Sequence, residues 1–159
     1  MSEIIKAIRK DAAHPLVIAQ RDALVRNLPA RDQVAEARAI YNLANSIIRY
    51  TEDPPDTDTF KTPAFVLREY HNAGRKTAAD CVTQTALVGA LARSLNIPVR
   101  LRIIGDNAQE FYHIHPELYL RGRWVAADVT ATTAKSRAIR RRAGLGYRHK
   151  APVERLFRV

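Results

Sequence analysis

Apolar side chains recur every three or four residues through the first half of the chain. This spacing predicts helices, because 3.6 residues per turn bring such positions onto one face. Three segments show the pattern, separated at Pro15 and Pro29, and Asp32 is placed to cap the third. A break follows at 51–63, where paired prolines and four acids indicate an extended loop. The apolar positions are Ile4, Ile5, Ile8 and Ala12, then Leu16, Val17, Leu24, Val25 and Leu28, then Val34, Ala37, Tyr41, Ala44, Ile47 and Ile48.

The second half of the chain changes from the helical period to a period of two. The stretch that begins at Cys81 is still helical, and Asn96-Ile97-Pro98 ends it, because proline cannot continue a helix. From Val99 apolar residues alternate with arginines, as in a strand with one buried face. Strands are predicted at 99–103, 111–120 and 123–128, with Arg121-Gly122 as the turn between the last two. Helices followed by an antiparallel β-meander predict an α+β fold, with the N-terminal helices packed on the sheet.

Length and composition indicate one globular domain. The chain has 159 residues, 47% of them apolar and 26% charged, which is typical of a single soluble domain. We expect this domain to span 1–159, with a core at about 34–131 and a basic tail at about 135–159. No apolar run reaches the length of a membrane span, the N-terminus lacks a signal-peptide pattern, and a single cysteine fits a reducing compartment. A cytoplasmic location without membrane contact is predicted.

Positive charge is concentrated towards the end of the chain. The net charge is +10, and residues 135–150 contain seven Lys or Arg residues and no acid. Such a run can bind nucleic acid by releasing counterions from its phosphates, or bind an acidic partner. A solvated tail is the simpler interpretation, because no zinc-finger spacing or RNA-binding signature accompanies the run. Binding of this tail to nucleic acid is therefore kept as an alternative to a solvated tail.

The one cysteine, Cys81, stands at the start of the predicted central helix. Asp80 is placed to cap that helix, whose unpaired N–H groups favour a thiolate over a thiol. The same N–H groups can bind the oxyanion that forms when a thiolate attacks a carbonyl. A lone cysteine is also often a small buried apolar residue, so a catalytic role requires a histidine within reach.

Two of the five histidines, His113 and His115, fall on one face of the same predicted strand. If Arg121-Gly122 is a two-residue turn, Asp128 lies opposite His115 and diagonal to His113, within reach of either imidazole. A histidine held by an acid can take the proton of a cysteine and so activate it as a nucleophile. The spacing admits either histidine as that base. The alternative is that the histidines face solvent or cap the sheet.

A metal site is a further alternative for the same residues. His113 and His115, with Asp128 or Glu117, supply ligand types that bind divalent metals. Such a site would leave Cys81 without a role, and no stretch has the spacing of a calcium-binding loop. We therefore expect neither a metal nor another cofactor.

Three short motifs in this order resemble those of the transglutaminase-like superfamily, whose members have a papain-like core. The first surrounds the cysteine, the second is the strand with His113, and the third is the hairpin that leads to Asp128. The similar stretches are Ala79-Asp80-Cys81, Leu91 to Arg100, Gly122-Arg123-Trp124-Val125 and Asp128-Val129-Thr130. Residues 47–67 also resemble the segment before the cysteine in small bacterial and bacteriophage members. The resemblance covers roughly residues 34–131.

The resemblance implies a catalytic triad of Cys81, His113 and Asp128. Family members place the histidine nine residues before the hairpin glycine and the aspartate six residues after it. Counting from Gly122 gives His113 and Asp128. His115 then stands where the family often has an aromatic residue, so it is expected to line the pocket or to serve as the alternative base.

Two features of the sequence complicate this assignment. An idealised hairpin favours His115 as the base, unless Pro116 bulges the strand and shifts the register. The family's usual glycine before Asp-Cys is Ala79 here, and Val82-Thr83-Gln84 replaces acids that often follow the cysteine. These replacements keep the triad but change the wall of the cleft beside the thiol, where substrate specificity is set.

The resemblance implies a thiol-dependent enzyme that acts on amide or peptide bonds through a thioester acyl-enzyme. A protein or peptide substrate is expected, with hydrolysis favoured over acyl transfer. The alternative is a non-catalytic binding or assembly module of a phage or prophage particle, whose basic tail contacts nucleic acid or an acidic partner. In that case the protein would be associated with the virion.

Overall fold

The computed structural model describes residues 1–52, 59–105, 111–132 and 153–159. These residues form helices, strands and one 3-10 turn, and none of the described helices is long and apolar enough to cross a membrane. The helices are α1 (Ser2–Asp11), α2 (Pro15–Val25), α3 (Gln33–Ile47), α4 (Pro63–Ala73) and α5 (Cys81–Ser94). The strands are β1 (Ile48–Tyr50), β2 (Thr77–Ala79), β3 (Val99–Gly105), β4 (Phe111–Leu120), β5 (Arg123–Ala126) and β6 (Val153–Arg158), and the turn is Val129–Thr132.

Local capping chemistry sets the ends of the helices. The Asp32 carboxylate accepts hydrogen bonds from the N–H groups of Val34 and Ala35, at 3.1 and 3.2 Å, and so begins α3 where the sequence predicted. Helix α4 starts with proline behind the Thr62 cap and ends at Gly74. The φ angle of Gly74 is +59°, a left-handed conformation that glycine adopts without a Cβ clash.

Helix α5 is the centre of the molecule. Its residues from Thr83 to Ala92 are all buried, which is the pattern of a helix enclosed on every side rather than on one face. Helices α1 to α4 pack around it, and the sheet covers its remaining side through β3 and β4. A cysteine at the start of this helix is therefore held by an element that is buried along most of its length.

The main sheet is antiparallel, with the strand order β5-β4-β3-β6. Strands β4 and β5 pair Leu120 with Arg123, in the register that the sequence predicted. Arg121 and Gly122 both have positive φ angles, +50° and +81°, as a two-residue hairpin turn requires. The predicted α+β fold, with an antiparallel meander and Cys81 at the start of a central helix, is confirmed. Helices α1, α2 and α4 pack mainly on α5, whereas the N-terminal helices were expected to pack directly on the meander.

Two parts of the sheet structure differ from the expectation. Strand β6 lies within the stretch 135–159 that was expected to be a basic tail, and it pairs with β3 from Gly105↔Val153 to Arg100↔Arg158. The expectation of a tail was therefore wrong for 153–158, while the basic run 135–150 lies outside the described residues. Strands β1 and β2 form a separate parallel pair, and three residues each are too few to show an alternating pattern.

Candidate active site

The thiol of Cys81 lies at the N-terminus of α5, shortly after β2, which pairs with β1 in parallel. Strand β1 pairs Tyr50 with Ala79, and the Thr51 N–H donates to the Ala79 carbonyl at 3.0 Å. Asp80 then caps the helix by accepting a hydrogen bond from the Thr83 N–H at 2.9 Å. Cys81 is partly exposed.

His113 is the histidine that pairs with Asp128. Its Nε2 lies 3.0 Å from Asp128 Oδ2, and both side chains are largely buried. Strand β5 stops at Ala126, and the Ala127 N–H donates to the Pro116 carbonyl at 2.9 Å before the chain turns away. Asp128 is therefore not opposite His115, as an idealised hairpin would place it.

The expected bulge at Pro116 is absent from the described strands. The pairing of β3 with β4 continues without a shift from Val99↔Leu118 to Ile104↔His113, and the register changes only between Ile104 and Gly105. The irregularity of β4 therefore lies between Phe111 and His113 and not at Pro116. Strand β5 ends at Ala126, and Asp128, beyond that end, meets His113. The spacing taken from the family resemblance and the idealised hairpin thus disagreed because the hairpin was extended two residues too far.

Hydrogen bonds and charge keep the His113 imidazole protonated. Burial lowers its pKa, but hydrogen bonds to Asp128 and Cys81 and their negative charges outweigh burial and raise the pKa to about 9. The pKa of Asp128 shifts in the opposite direction. Burial would raise the pKa of Asp128, whereas the hydrogen bond and charge of His113, with a hydrogen bond from Thr130, hold it well below its usual range.

Thr130 holds Asp128 in place, and Thr85 holds β4, the strand that carries His113. The Thr130 hydroxyl donates to Asp128 Oδ1 at 2.6 Å and its N–H donates to the same oxygen at 3.0 Å. The Thr85 hydroxyl, one turn into α5, donates to the Ile114 carbonyl at 3.2 Å. Strand β4 is thereby tied to the helix that carries the thiol, and the separation of Cys81 and His113 is set by buried contacts.

His115 lies beside the pair without joining it. Its ring centroid is 5.5 Å from that of His113, and only 7% of the residue is exposed. Burial is the main cause that lowers its pKa to about 4, so the imidazole is neutral at pH 7. It lines a crevice with Cys81, Gln84 and Asp128 that leaves no space for a water molecule.

Glu117 is not available to this site. It is buried on β4 and forms ion pairs with Arg100 and Arg102, the second at 2.9 Å. Burial would raise the pKa of Glu117, but these hydrogen bonds and charges lower it. The alternative that placed Glu117 among metal ligands is wrong for that residue. One ligand atom each of His113, His115 and Asp128 does lie within 4.8 Å of the others.

Sequence reasoning did not place Tyr50, Gln84 or Thr130 in the site. Burial, followed by the negative charges of Cys81 and other nearby acids, raises the pKa of Tyr50 to about 12, so its hydroxyl stays protonated near the thiol. Gln84 is one helical turn after Cys81, a spacing that could have indicated it. Asn72 lines a separate groove between α4 and the β1-β2 pair.

Comparisons with known proteins agree with this architecture. No curated protein matches the chain. A crystal structure described as a "putative cysteine protease" from Cytophaga hutchinsonii is similar in fold, with 18% sequence identity and a TM-score of 0.55. That likeness covers 76% of this chain and 38% of the other. Residues 22–129, more than half of the chain, match the model of the transglutaminase-like superfamily. The chain belongs to the transglutaminase-like superfamily.

Proposed function

We propose that the protein is a thiol-dependent enzyme that acts on amide or peptide bonds, with Cys81 as nucleophile, His113 as base and Asp128 as the residue that orients His113. The observation that carries the proposal is the buried hydrogen bond of 3.0 Å between His113 Nε2 and Asp128 Oδ2. It leaves the other ring nitrogen for the hydrogen bond with Cys81. A nucleophile, a base and a third group that orients the base are the parts that nucleophilic catalysis needs.

The proposed reaction has two half-reactions. His113 takes the Cys81 proton, and the thiolate attacks the carbonyl carbon of the substrate. The C–N bond then breaks, His113 returns the proton to the leaving amine, and a thioester remains on Cys81. In the second half, His113 takes a proton from water, the hydroxide attacks the thioester, and the carboxylic acid leaves as the thiol reforms. The first N–H groups of α5, which have no intrahelical acceptor, would stabilise each oxyanion.

We favour hydrolysis over acyl transfer, with a protein or peptide as substrate. The neighbour from Cytophaga hutchinsonii carries the description of a protease, and the partial exposure of Cys81 leaves the thioester open to water. Asp128 is oriented through both oxygens, one by Thr130 and one by His113, which supports its role in holding one tautomer of the imidazole. The cytoplasmic or virion location and the contact of residues 135–150 with nucleic acid stay predictions.

The test is the pH dependence of Cys81 alkylation by iodoacetamide. An ordinary thiol reacts fast only above about pH 8, because the thiolate is the reactive form. We expect the wild-type protein to label fast near pH 6, and His113→Ala to label at least about tenfold more slowly at that pH because the imidazolium that stabilises the thiolate is lost. His115→Ala is the matched control and should keep the fast phase.

Two outcomes would change the assignment. Loss of the fast phase in His115→Ala alone would move the base by two residues and keep the enzyme. Slow labelling below pH 8 in all three proteins would overturn the catalytic proposal and favour a binding module.

A further inference from the structure

We propose that His113, His115 and Asp128 form a binding site for a divalent transition-metal ion such as Zn²⁺, and that the ion switches off Cys81. The site uses the two catalytic partners of the thiol together with a histidine that the proposed reaction does not need. Metal binding itself does not depend on the proposed function, whereas its inhibitory effect rests on it.

The three side chains already stand close to a coordination geometry. One ligand atom of each lies within 4.8 Å of the other two, and His113 Nε2 is 3.0 Å from Asp128 Oδ2. With bonds of roughly 2.0–2.2 Å, ligand atoms on a tetrahedral zinc ion are about 3.3 Å apart. The widest pair would have to approach by at most about 1.5 Å, a distance that rotation of an imidazole ring can cover.

His115 supplies the independent observation. The residue is 7% exposed, and within the described part of the chain its Nδ1 is buried without a hydrogen-bond partner. Leaving a buried polar atom unpaired costs about 1–3 kcal/mol. A metal ion shared with His113 would give the unpaired imidazole a ligand role. The Cys81-His113-Asp128 reaction gives it none.

The type of ligand favours zinc over the alkaline-earth ions. Two imidazoles and one carboxylate suit Zn²⁺ and its neighbours, while Ca²⁺ and Mg²⁺ prefer oxygen ligands alone. Thr130 holds the Oδ1 atom of Asp128 and leaves Oδ2 directed at His113, which is the kind of outer hydrogen bond that orients a metal ligand. Binding would displace the proton shared by His113 and Asp128 into solvent.

Inhibition follows from the loss of the base. An ion on His113 Nε2 and Asp128 Oδ2 takes the acid that orients the imidazole and holds the ring as a metal ligand, so His113 is no longer free to take the Cys81 proton and pass it on. Cys81 is not a member of the cluster, so the proposed site does not need the sulfur as a ligand. This separates the proposal from simple capture of zinc by a thiolate.

The binding test uses Cys81→Ala, in which zinc capture by the thiol cannot occur. Calorimetric titration with ZnCl₂ should show one ion per chain, and no comparable binding of Ca²⁺ or Mg²⁺. Adding His115→Gln should weaken zinc binding at least tenfold, because one of three ligands is lost. Adding His71→Gln, which changes an exposed histidine of α4, should leave the affinity unchanged. Asp128→Asn offers a second loss of a ligand if His115→Gln does not fold.

The inhibition test compares alkylation of Cys81 with ZnCl₂ and with EDTA in each protein. Zinc should slow labelling of the wild type at least tenfold, and EDTA should restore the rate. In His115→Gln the ratio of the two rates should approach one. No zinc binding to Cys81→Ala, or equal binding after His115→Gln, would overturn the metal site. Fast wild-type labelling with no effect of zinc would leave the proposed enzyme intact, whereas zinc binding with a slow thiol would refute only the enzyme.

Discussion

His113 and His115 lie two residues apart on one strand, yet their surroundings move their pKa values in opposite directions. Both are largely buried, and burial lowers the pKa of each. His113 has Asp128 and Cys81 as hydrogen-bond partners, and its pKa rises to about 9. The Nδ1 atom of His115 has no hydrogen-bond partner among the described residues, and the pKa of His115 falls to about 4. One imidazole is therefore charged at neutral pH and the other is neutral, which suits one for an ion pair and the other for a metal or a pocket wall.

At the residue scale, this contrast predicts a component of acid sensitivity that belongs to His115. Its folded pKa lies below the ordinary 6.5, so the unfolded chain binds the proton more readily, and stability is lost as the pH falls from about 6.5 towards 4. Between pH 7 and pH 5 the loss should be about 2 kcal/mol larger in wild type than in His115→Gln. Urea unfolding of both proteins at the two pH values, in EDTA, measures the difference.

Other acids titrate below pH 5 in both proteins, so only the difference between wild type and variant counts. Equal losses would mean that His115 is not buried as a neutral base. His113 acts with the opposite sign: its contribution is present below about 6.5 and is lost as the pH rises through about 9. The two histidines thus limit stability from opposite ends of the pH range.

At the scale of elements, α1 packs tightly against α5 at Gly89. A Cβ atom added to Gly89 would lie 2.9 Å from Ile8 Cδ1 and 3.3 Å from Ile8 Cγ1. Ile8 is fully buried, so its side chain has little freedom to move aside. The absence of a side chain at Gly89 lets α1 approach the helix that carries Cys81.

This contact predicts the effect of Gly89→Ala. Alanine gains about 1 kcal/mol of helix propensity over glycine, but overpacking a buried contact costs about 1–3 kcal/mol, so we expect a net loss of about 1 kcal/mol in the free energy of unfolding. Ile8→Val removes Cδ1 and alone should cost about 0.5–1.5 kcal/mol. The double variant should lose less than the sum of the two, as measured by chemical denaturation. A gain in stability from Gly89→Ala alone would show that Ile8 moves freely.

At the scale of the whole molecule, β6 is an edge strand of the main sheet that comes from the far end of the described chain. It covers the edge of β3, and Phe157 packs against the hydrophobic core as a partly buried side chain. Leu156, its neighbour on the opposite face, is 51% exposed. A truncation that removes everything after residue 134 would therefore damage the sheet as well as remove the basic run. Tests of nucleic-acid binding should instead neutralise charges within 135–150.

Two alanine substitutions on β6 test this role of the strand. Phe157→Ala should lower the free energy of unfolding by about 2 kcal/mol, less than the 3–5 kcal/mol of a fully buried phenylalanine. Leu156→Ala is the matched control, because it changes an exposed side chain of the same strand and should cost no more than about 0.5 kcal/mol. Thermal and urea unfolding compare the two. Equal small effects would show that β6 does not contribute to the stability of the core.

Local patterns in the sequence were sufficient for most of the elements. Asp32 and Asp80 cap their helices as predicted, because a cap needs only a side chain and the next three N–H groups. The Arg121-Gly122 turn and the register of β4 with β5 could be predicted for a similar reason, because the paired residues are close in sequence. The parallel pair β1-β2 and the edge strand β6 could not be predicted, because their partners are distant in sequence and each segment is short.

The sequence by itself determined the helix that begins at Cys81, the hairpin, and the three residue types that meet at its end. Period-two spacing left the choice between His113 and His115 open, because it places both on one face, and only the family resemblance favoured His113. Tertiary structure decided that choice: β5 ends at Ala126, the chain turns, and Thr130 holds Asp128 against His113 rather than His115. It also decided the opposite pKa shifts of the two histidines, since burial and charged neighbours arise only when distant segments pack together.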